Sequence, residues 1–182
     1  IPGDVLVVID EAYVEFVDEP RAVRSLELFA AHENVAILRT FSKAYGLAGL
    51  RVGFALAHDH TATALRKAAI PFGVSGVAHA AAVASLDDEA ELFDRVRHLC
   101  VERSRVLAGL RAAGWWVPEP QGNFVWLATG AHTTEVADTL QAAGIIVRAF
   151  PGVGIRATIA EEAANSDLLE ALAAGPEVIF AR

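Results

Sequence analysis

A chain of 182 residues with 54% hydrophobic content holds enough apolar material for the core of one ordinary domain, or a domain and a half. Its formal net charge of -8, with no basic run and no basic-aromatic stripe, argues against nucleic acid or an anionic membrane as partner. The apolar runs are broken by Gly, Asp or His well short of the roughly 20 residues that span a bilayer. The single cysteine, Cys100, cannot form an internal disulfide and fits a reducing cytoplasm.

In chain order, Val5 to Ile9 reads as a buried parallel strand that runs straight into Asp10-Glu11-Ala12-Tyr13. A helical stretch near Arg21 to Ala31, then strands at Val35 to Thr40 and Arg51 to Ala57, give the βαβ rhythm of a parallel sheet. Thr61 to Ala69 predicts a short helix, broken by Pro71-Phe72-Gly73, and His79 to Leu86 predicts a helix of small residues. A long helix is expected from Asp87 to about Ala113, acidic at its start and basic later, as the helix dipole favours. The domain change is placed there, so that residues 1–86 end one domain and 87–182 form a second, smaller one. In the second, Trp115 to Val117, Asn123 to Leu127, Ile145 to Arg148 and Gly154 to Ile159 read as strands, and Thr133 to Ala143 and Ala160 to Ala173 as helices.

Lys43 sits between an apolar strand and the small-residue turn Gly46-Leu47-Ala48-Gly49, ahead of Arg51. An amine attacks a carbonyl only when part of it is unprotonated, so burial or a neighbouring cation would suit Lys43 to Schiff-base formation. The fork of donors on Arg51 suits a phosphate. Asp10 falls where open α/β sheets place ligands, at the carboxyl end of a strand. A carboxylate there can keep a pyridinium nitrogen protonated, and the Tyr13 hydroxyl can bond a phenolic ring oxygen. Each residue also has a plainer role open to it: Lys43 and Arg51 as exposed surface cations, Asp10 as a helix N-cap. Glu11, Glu15 and Asp18 read as a solvated acidic turn, and the six histidines as loop residues without the spacing of a metal site.

Ile9-Asp-Glu-Ala-Tyr-Val-Glu-Phe16 and Thr40-Phe-Ser-Lys-Ala-Tyr-Gly-Leu-Ala-Gly-Leu-Arg-Val-Gly-Phe54 together resemble the fold-type I pyridoxal-phosphate aminotransferases, in the branch of histidinol-phosphate and aromatic enzymes. Gly122-Asn-Phe-Val-Trp126, Ile146-Val-Arg-Ala-Phe150 and Gly154-Ile-Arg-Ala-Thr-Ile159 extend the likeness in family order. The resemblance implies an α/β fold, the C-terminal part of the cofactor-binding large domain followed by a small α/β domain. It implies that Lys43 carries pyridoxal 5'-phosphate, that Asp10 pairs with the ring nitrogen and Tyr13 with the ring oxygen, and that Ser42, Arg51 and Thr40 hold the phosphate. Arg156 would clamp the substrate carboxylate; the residues alone also allow it to pair with Glu161 or Glu162. Arg148 is expected to be structural, and Asn123 is as well suited to a turn as to the substrate.

The activity implied is transamination of an aromatic, phenylalanine-like amino acid with a 2-oxo acid such as 2-oxoglutarate, in a cytoplasmic homodimer. Histidinol-phosphate transamination, a pyridoxal-phosphate lyase or decarboxylase using the same anchors, and a non-catalytic dimerisation fragment are the alternatives. Phe124, Trp126 and Phe150 either line an aromatic pocket or, as alternating strand aromatics more often do, fill the core. Family members are roughly twice this length, and the lack of methionine is read as the mark of a chain that starts within a longer protein.

Overall fold

The computed structural model describes residues 1–180, which divide into two compact units, Ile1–Asp94 and a second beginning at Arg95. The division falls inside a long helix, whereas composition marks the change near Asp87.

The first unit is built on a three-stranded sheet of β1 (Val7–Asp10), β2 (Val35–Thr40) and β3 (Gly53–Ala57), in that order. Helix α1 (Ser25–Ala31) connects β1 to β2, which lie parallel with Asp10 opposite Leu38. The expected all-parallel sheet is corrected at β3, which runs antiparallel to β2 with Thr40 opposite Gly53. A parallel return needs a crossover, usually a helix. The loop from Phe41 to Val52 instead holds one short 3-10 turn, Ala48–Leu50, and left-handed residues at Gly46 and Arg51. The chain therefore folds straight back, and Gly53 lies so close to β2 that a Cβ would stand 2.7 Å from the Arg39 carbonyl oxygen. The parallel register of β1 and β2, together with this reversal, sets Asp10, Thr40 and the whole lysine loop at one edge of the sheet.

Beyond β3 come α2 (Asp59–Ala68), α3 (Gly76–Asp87) and the start of α4 (Glu89–Ala112). Helix α3 begins earlier than the small-residue pattern suggests because the Ser75 hydroxyl accepts a hydrogen bond from the Ala78 amide at 3.1 Å, an N-cap. Phe41 and Val52, at the two ends of the lysine loop, are buried against Ala78 and Ala82 of α3, which pins the loop at its base.

The second unit has β4 (Phe124–Leu127), α5 (Thr133–Ala142), β5 (Arg148–Phe150), β6 (Gly154–Thr158), α6 (Glu162–Ala171) and α7 (Gly175–Phe180). Its sheet is antiparallel throughout, in the order β4-β6-β5. Val125, Leu127, Ile155 and Ala157 point to one face and are buried with Val106 and Leu110 of α4, Val136 and Leu140 of α5, and Leu168 of α6. Each fully buried large aliphatic side chain there contributes roughly 1.5–3 kcal/mol.

Three sequence expectations change in this unit. Trp115 to Val117 alternates in burial like a strand but joins no ladder: Arg111 donates to the Val117 carbonyl at 2.8 Å, and the Trp115 indole donates to the Leu172 carbonyl at 3.0 Å. The strand expected over Ile145 to Arg148 begins only at Arg148. The closing helix stops at Ala171, and the left-handed backbone of Gly175 (φ 76°) starts a separate α7.

Candidate functional site

In the first unit, Phe41 and Ala44 are buried, so Ser42 and Lys43 between them face outward from a fixed base. The Ser42 amide donates to Thr40 Oγ1 at 3.0 Å, bringing these two predicted residues together in a tight local turn. After β1, Asp10 accepts a hydrogen bond from the Ala12 amide at 3.0 Å, and the chain turns through a 3-10 helix, Val14–Phe16. That turn presents the Tyr13 ring to the lysine: Lys43 Nζ lies 5.2 Å from its centroid. Among the described residues the Lys43 amine, half-buried, has no carboxylate or hydrogen-bond acceptor. Arg51 adopts a left-handed backbone (φ 55°), and one Nη donates to the Ala48 carbonyl at 2.8 Å. Its remaining donors face solvent. Asp10, Tyr13, Thr40, Ser42, Lys43 and Arg51 thus lie on the turns that leave the carboxyl ends of β1 and β2, where α/β sheets bind ligands.

The expectation of a solvated acidic turn is corrected at Glu11, which is buried. It accepts from Arg39 Nε at 2.8 Å and from the Ser25 hydroxyl, tying the end of β1 to β2 and to α1. A readable signal was present in Arg39 itself, a cation inside the otherwise apolar Val35–Leu38 run that needs a partner to be worth partial burial. Glu15 lies nearby; burial raises its pKa, opposed by its backbone hydrogen bond and by Arg39. Burial likewise raises the Tyr45 hydroxyl, with Glu15 adding to the effect.

In the second unit the sheet face away from the core carries Phe124, Trp126, Arg148, Phe150 and Arg156. The two strand arginines are register partners, and Arg156 is also opposite Trp126. Arg156 makes no ion pair with Glu161 or Glu162; its guanidinium carbon lies 5.2 Å from the Phe124 ring centroid, and its buried Nε has no hydrogen-bond partner. Arg148 lies over Phe150 at 5.1 Å, and the Trp126 and Phe150 rings are 5.6 Å apart. Gly154 makes room for this face, since a Cβ there would stand 2.5 Å from the Trp126 ring. These three aromatics therefore do not fill the core, to which the sheet contributes the aliphatic Val125, Leu127, Ile155 and Ala157. Like charges directly opposite are unfavourable in a sheet, so a paired-arginine face with an orphaned donor is suited to an anion.

Among the described residues no group of three His, Cys, Asp or Glu is placed to hold a metal ion, and no helix is long and apolar enough to cross a membrane.

A lysine turn at the carboxyl edge of an α/β sheet, followed by a small α/β unit with an outward arginine, defines a part of the fold-type I transferase architecture. The aminotransferase class I and II family profile matches residues 3–172, and the chain belongs to that family. It is 55% identical over 170 residues to an aromatic amino acid aminotransferase of Streptomyces avermitilis and 54% identical to one of Streptomyces coelicolor, matches that cover 93% of this chain and 47% of each relative. The crystal structure of histidinol-phosphate aminotransferase from Sinorhizobium meliloti, in complex with pyridoxal-5'-phosphate, matches with a TM-score of 0.84 and 35% identity, over 100% of this chain and 50% of that one. The chain thus spans about half the length of the relatives it matches.

Proposed function

We propose that this chain supplies the lysine-bearing part of a pyridoxal-phosphate transaminase that exchanges an aromatic amino acid with a 2-oxo acid such as 2-oxoglutarate. The observation that carries it is the half-buried Lys43 amine, without a counter-ion and beside Tyr13, at the same sheet edge as Asp10. The residues fit the cofactor: a carboxylate suits its ring nitrogen, a phenol its ring oxygen, two hydroxyls and a guanidinium with spare donors its phosphate, and an unpaired amine its aldehyde.

Pyridoxal 5'-phosphate, when bound, supplies an electron-poor ring that accepts the electron pair left when the substrate loses its α proton. Lys43 would hold it covalently, give way to the incoming amine, and as a freed base move the proton from the α carbon. Asp10 would keep a proton on the ring nitrogen. Tyr13 would donate to the ring oxygen, and Thr40, Ser42 and Arg51 would bind the phosphate. Arg156 would grip the substrate carboxylate by two parallel hydrogen bonds and so orient the α proton. Its orphaned buried Nε supports that role, because desolvating a guanidinium without a partner is costly and an anion offsets it. Residues 1–86 would belong to the cofactor domain and residues 87–182 to the small domain of a cytoplasmic homodimer; the lone Cys100 and exposed apolar side chains such as Val8 and Phe72 are compatible with this.

The register pair Arg148 and Arg156 favours a second reading, in which the substrate carries a phosphate, as histidinol phosphate does. Absorbance of the chain with added cofactor separates the readings. A visible band lost in Lys43→Ala, and bleached by phenylalanine but not by histidinol phosphate, supports the first. Bleaching by histidinol phosphate alone transfers the assignment, and no Lys43-dependent band leaves the dimerisation fragment.

A further inference from the structure

Arg103 is a cation in the middle of α4, only 3% exposed, and none of the chemistry above uses it. A guanidinium is seldom buried this deeply unless its donors have fixed acceptors. One acceptor is the Gly122 carbonyl, at 3.0 Å from Nη1. Gly122 in turn is the wall against which the Phe124 ring rests: a Cβ at 122 would stand 2.7 Å from Cε1 and 3.1 Å from Cδ1 of that ring. The other side of the contact is Arg156, whose guanidinium carbon lies 5.2 Å from the Phe124 centroid. Phe124 pairs with Thr158, so it is the diagonal neighbour of Arg156 on the same sheet face.

We infer that Arg103 is a positioning residue for the carboxylate clamp, acting by fixing Gly122 so that the Phe124 ring is held against the Arg156 guanidinium. The inference rests on the reading of Arg156 as the clamp. The ring's quadrupole attracts the cation and restricts the rotation of a long side chain, so the fork is presented in one direction before the ligand arrives. Gly122 is required here for space, because its φ does not lie in the left-handed region and alanine would be permitted by the backbone.

The test uses the cofactor-loaded full chain and 3-phenylpropionate, an aromatic carboxylate without an amine, with affinity measured by calorimetry and KM and kcat measured for phenylalanine. Gly122→Ala is the decisive variant, since it changes no charge and no hydrogen-bonding group. It is expected to weaken 3-phenylpropionate and raise KM by about 3- to 10-fold, the range for loss of a partly desolvated cation–ring contact, with kcat little changed. Phe124→Leu should do the same, and the double variant should lose no more than either alone, because both act through one contact. Arg103→Met should follow them, with thermal unfolding measured alongside. If Arg156→Lys abolishes binding while Gly122→Ala and Phe124→Leu bind as tightly as the unaltered chain, the positioning role is wrong and the clamp stands. If Arg156→Lys binds as well as the unaltered chain, the clamp reading fails and the inference falls with it.

Discussion

The Lys43 amine stands 5.2 Å from the centre of the Tyr13 ring, which joins the turn after β1 to the loop after β2 across the edge of the sheet. Both partners are held from below, Lys43 by the buried Phe41 and Ala44, and Tyr13 by the short helix that ends in buried Phe16. The amine is therefore presented by a rigid base.

Replacing Lys43 with alanine should remove the visible band formed with pyridoxal phosphate and lower turnover by at least about 10²–10⁴-fold, the range for loss of a positioned base. Lys43→Arg should behave alike in turnover, because a guanidinium keeps the charge near Tyr13 and cannot serve as the amine. Turnover surviving in either variant would remove Lys43 from the chemistry.

For Asp10→Asn we expect cofactor affinity to be largely kept and turnover to drop by about 10²–10³-fold, as on loss of one preorganised electrostatic group. Spectroscopic titration with cofactor, paired with initial rates, separates the two effects. Unchanged turnover would make Asp10 a turn residue whose task is its bond to the Ala12 amide.

Glu11→Ala should destabilise the chain by about 3 kcal/mol, the low end for removing one partner of a buried ion pair, because the Arg39 side chain retains 31% exposure. Denaturant unfolding measures it. The double variant with Arg39→Met should recover part of the loss, since no stranded cation remains; a double variant worse than Glu11→Ala would argue against the pair as the cause.

Two glutamates should give stability opposite pH dependence. Glu102 is held below the ordinary range by hydrogen bonds from Arg105 and then Asn165, so its contribution is present above about pH 4.3 and lost as pH falls through its lowered value. Glu15 is raised by burial, so its contribution is present in acid and lost as pH rises through its raised value. Thermal unfolding followed against pH should show Glu102→Gln flattening the acid limb. Glu15→Gln should gain stability over the unaltered chain at neutral pH and lose that gain in acid.

Arg148→Gln should discriminate between substrates. If the ligand is phenylalanine-like, kcat/KM should change little, because Arg156 alone meets the single carboxylate. A fall of tenfold or more, confined to histidinol phosphate, would place a phosphate against the arginine pair.

Local order was plain in the residues. The apolar run ending at Asp10, the Ser42-Lys43 pair after a second apolar run, and Arg156 amid alternating apolar residues each reflect constraints within a single strand or turn. Hydrophobic period and glycine placement specify such features at short range, and the family motifs are equally local. The sequence by itself therefore determined the α/β class and the family, and it nominated the candidate site residues. Tertiary structure decided what each residue faces. Only the fold turned β3 antiparallel, because strand direction depends on whether a loop can hold a crossover. Only the fold buried Glu11 against Arg39 and Ser25, since their meeting requires two strands and a helix to be in place. Only the fold showed that Phe124, Trp126 and Phe150 share the outward face with both arginines, because alternation tells that residues share a face and not which face meets the core.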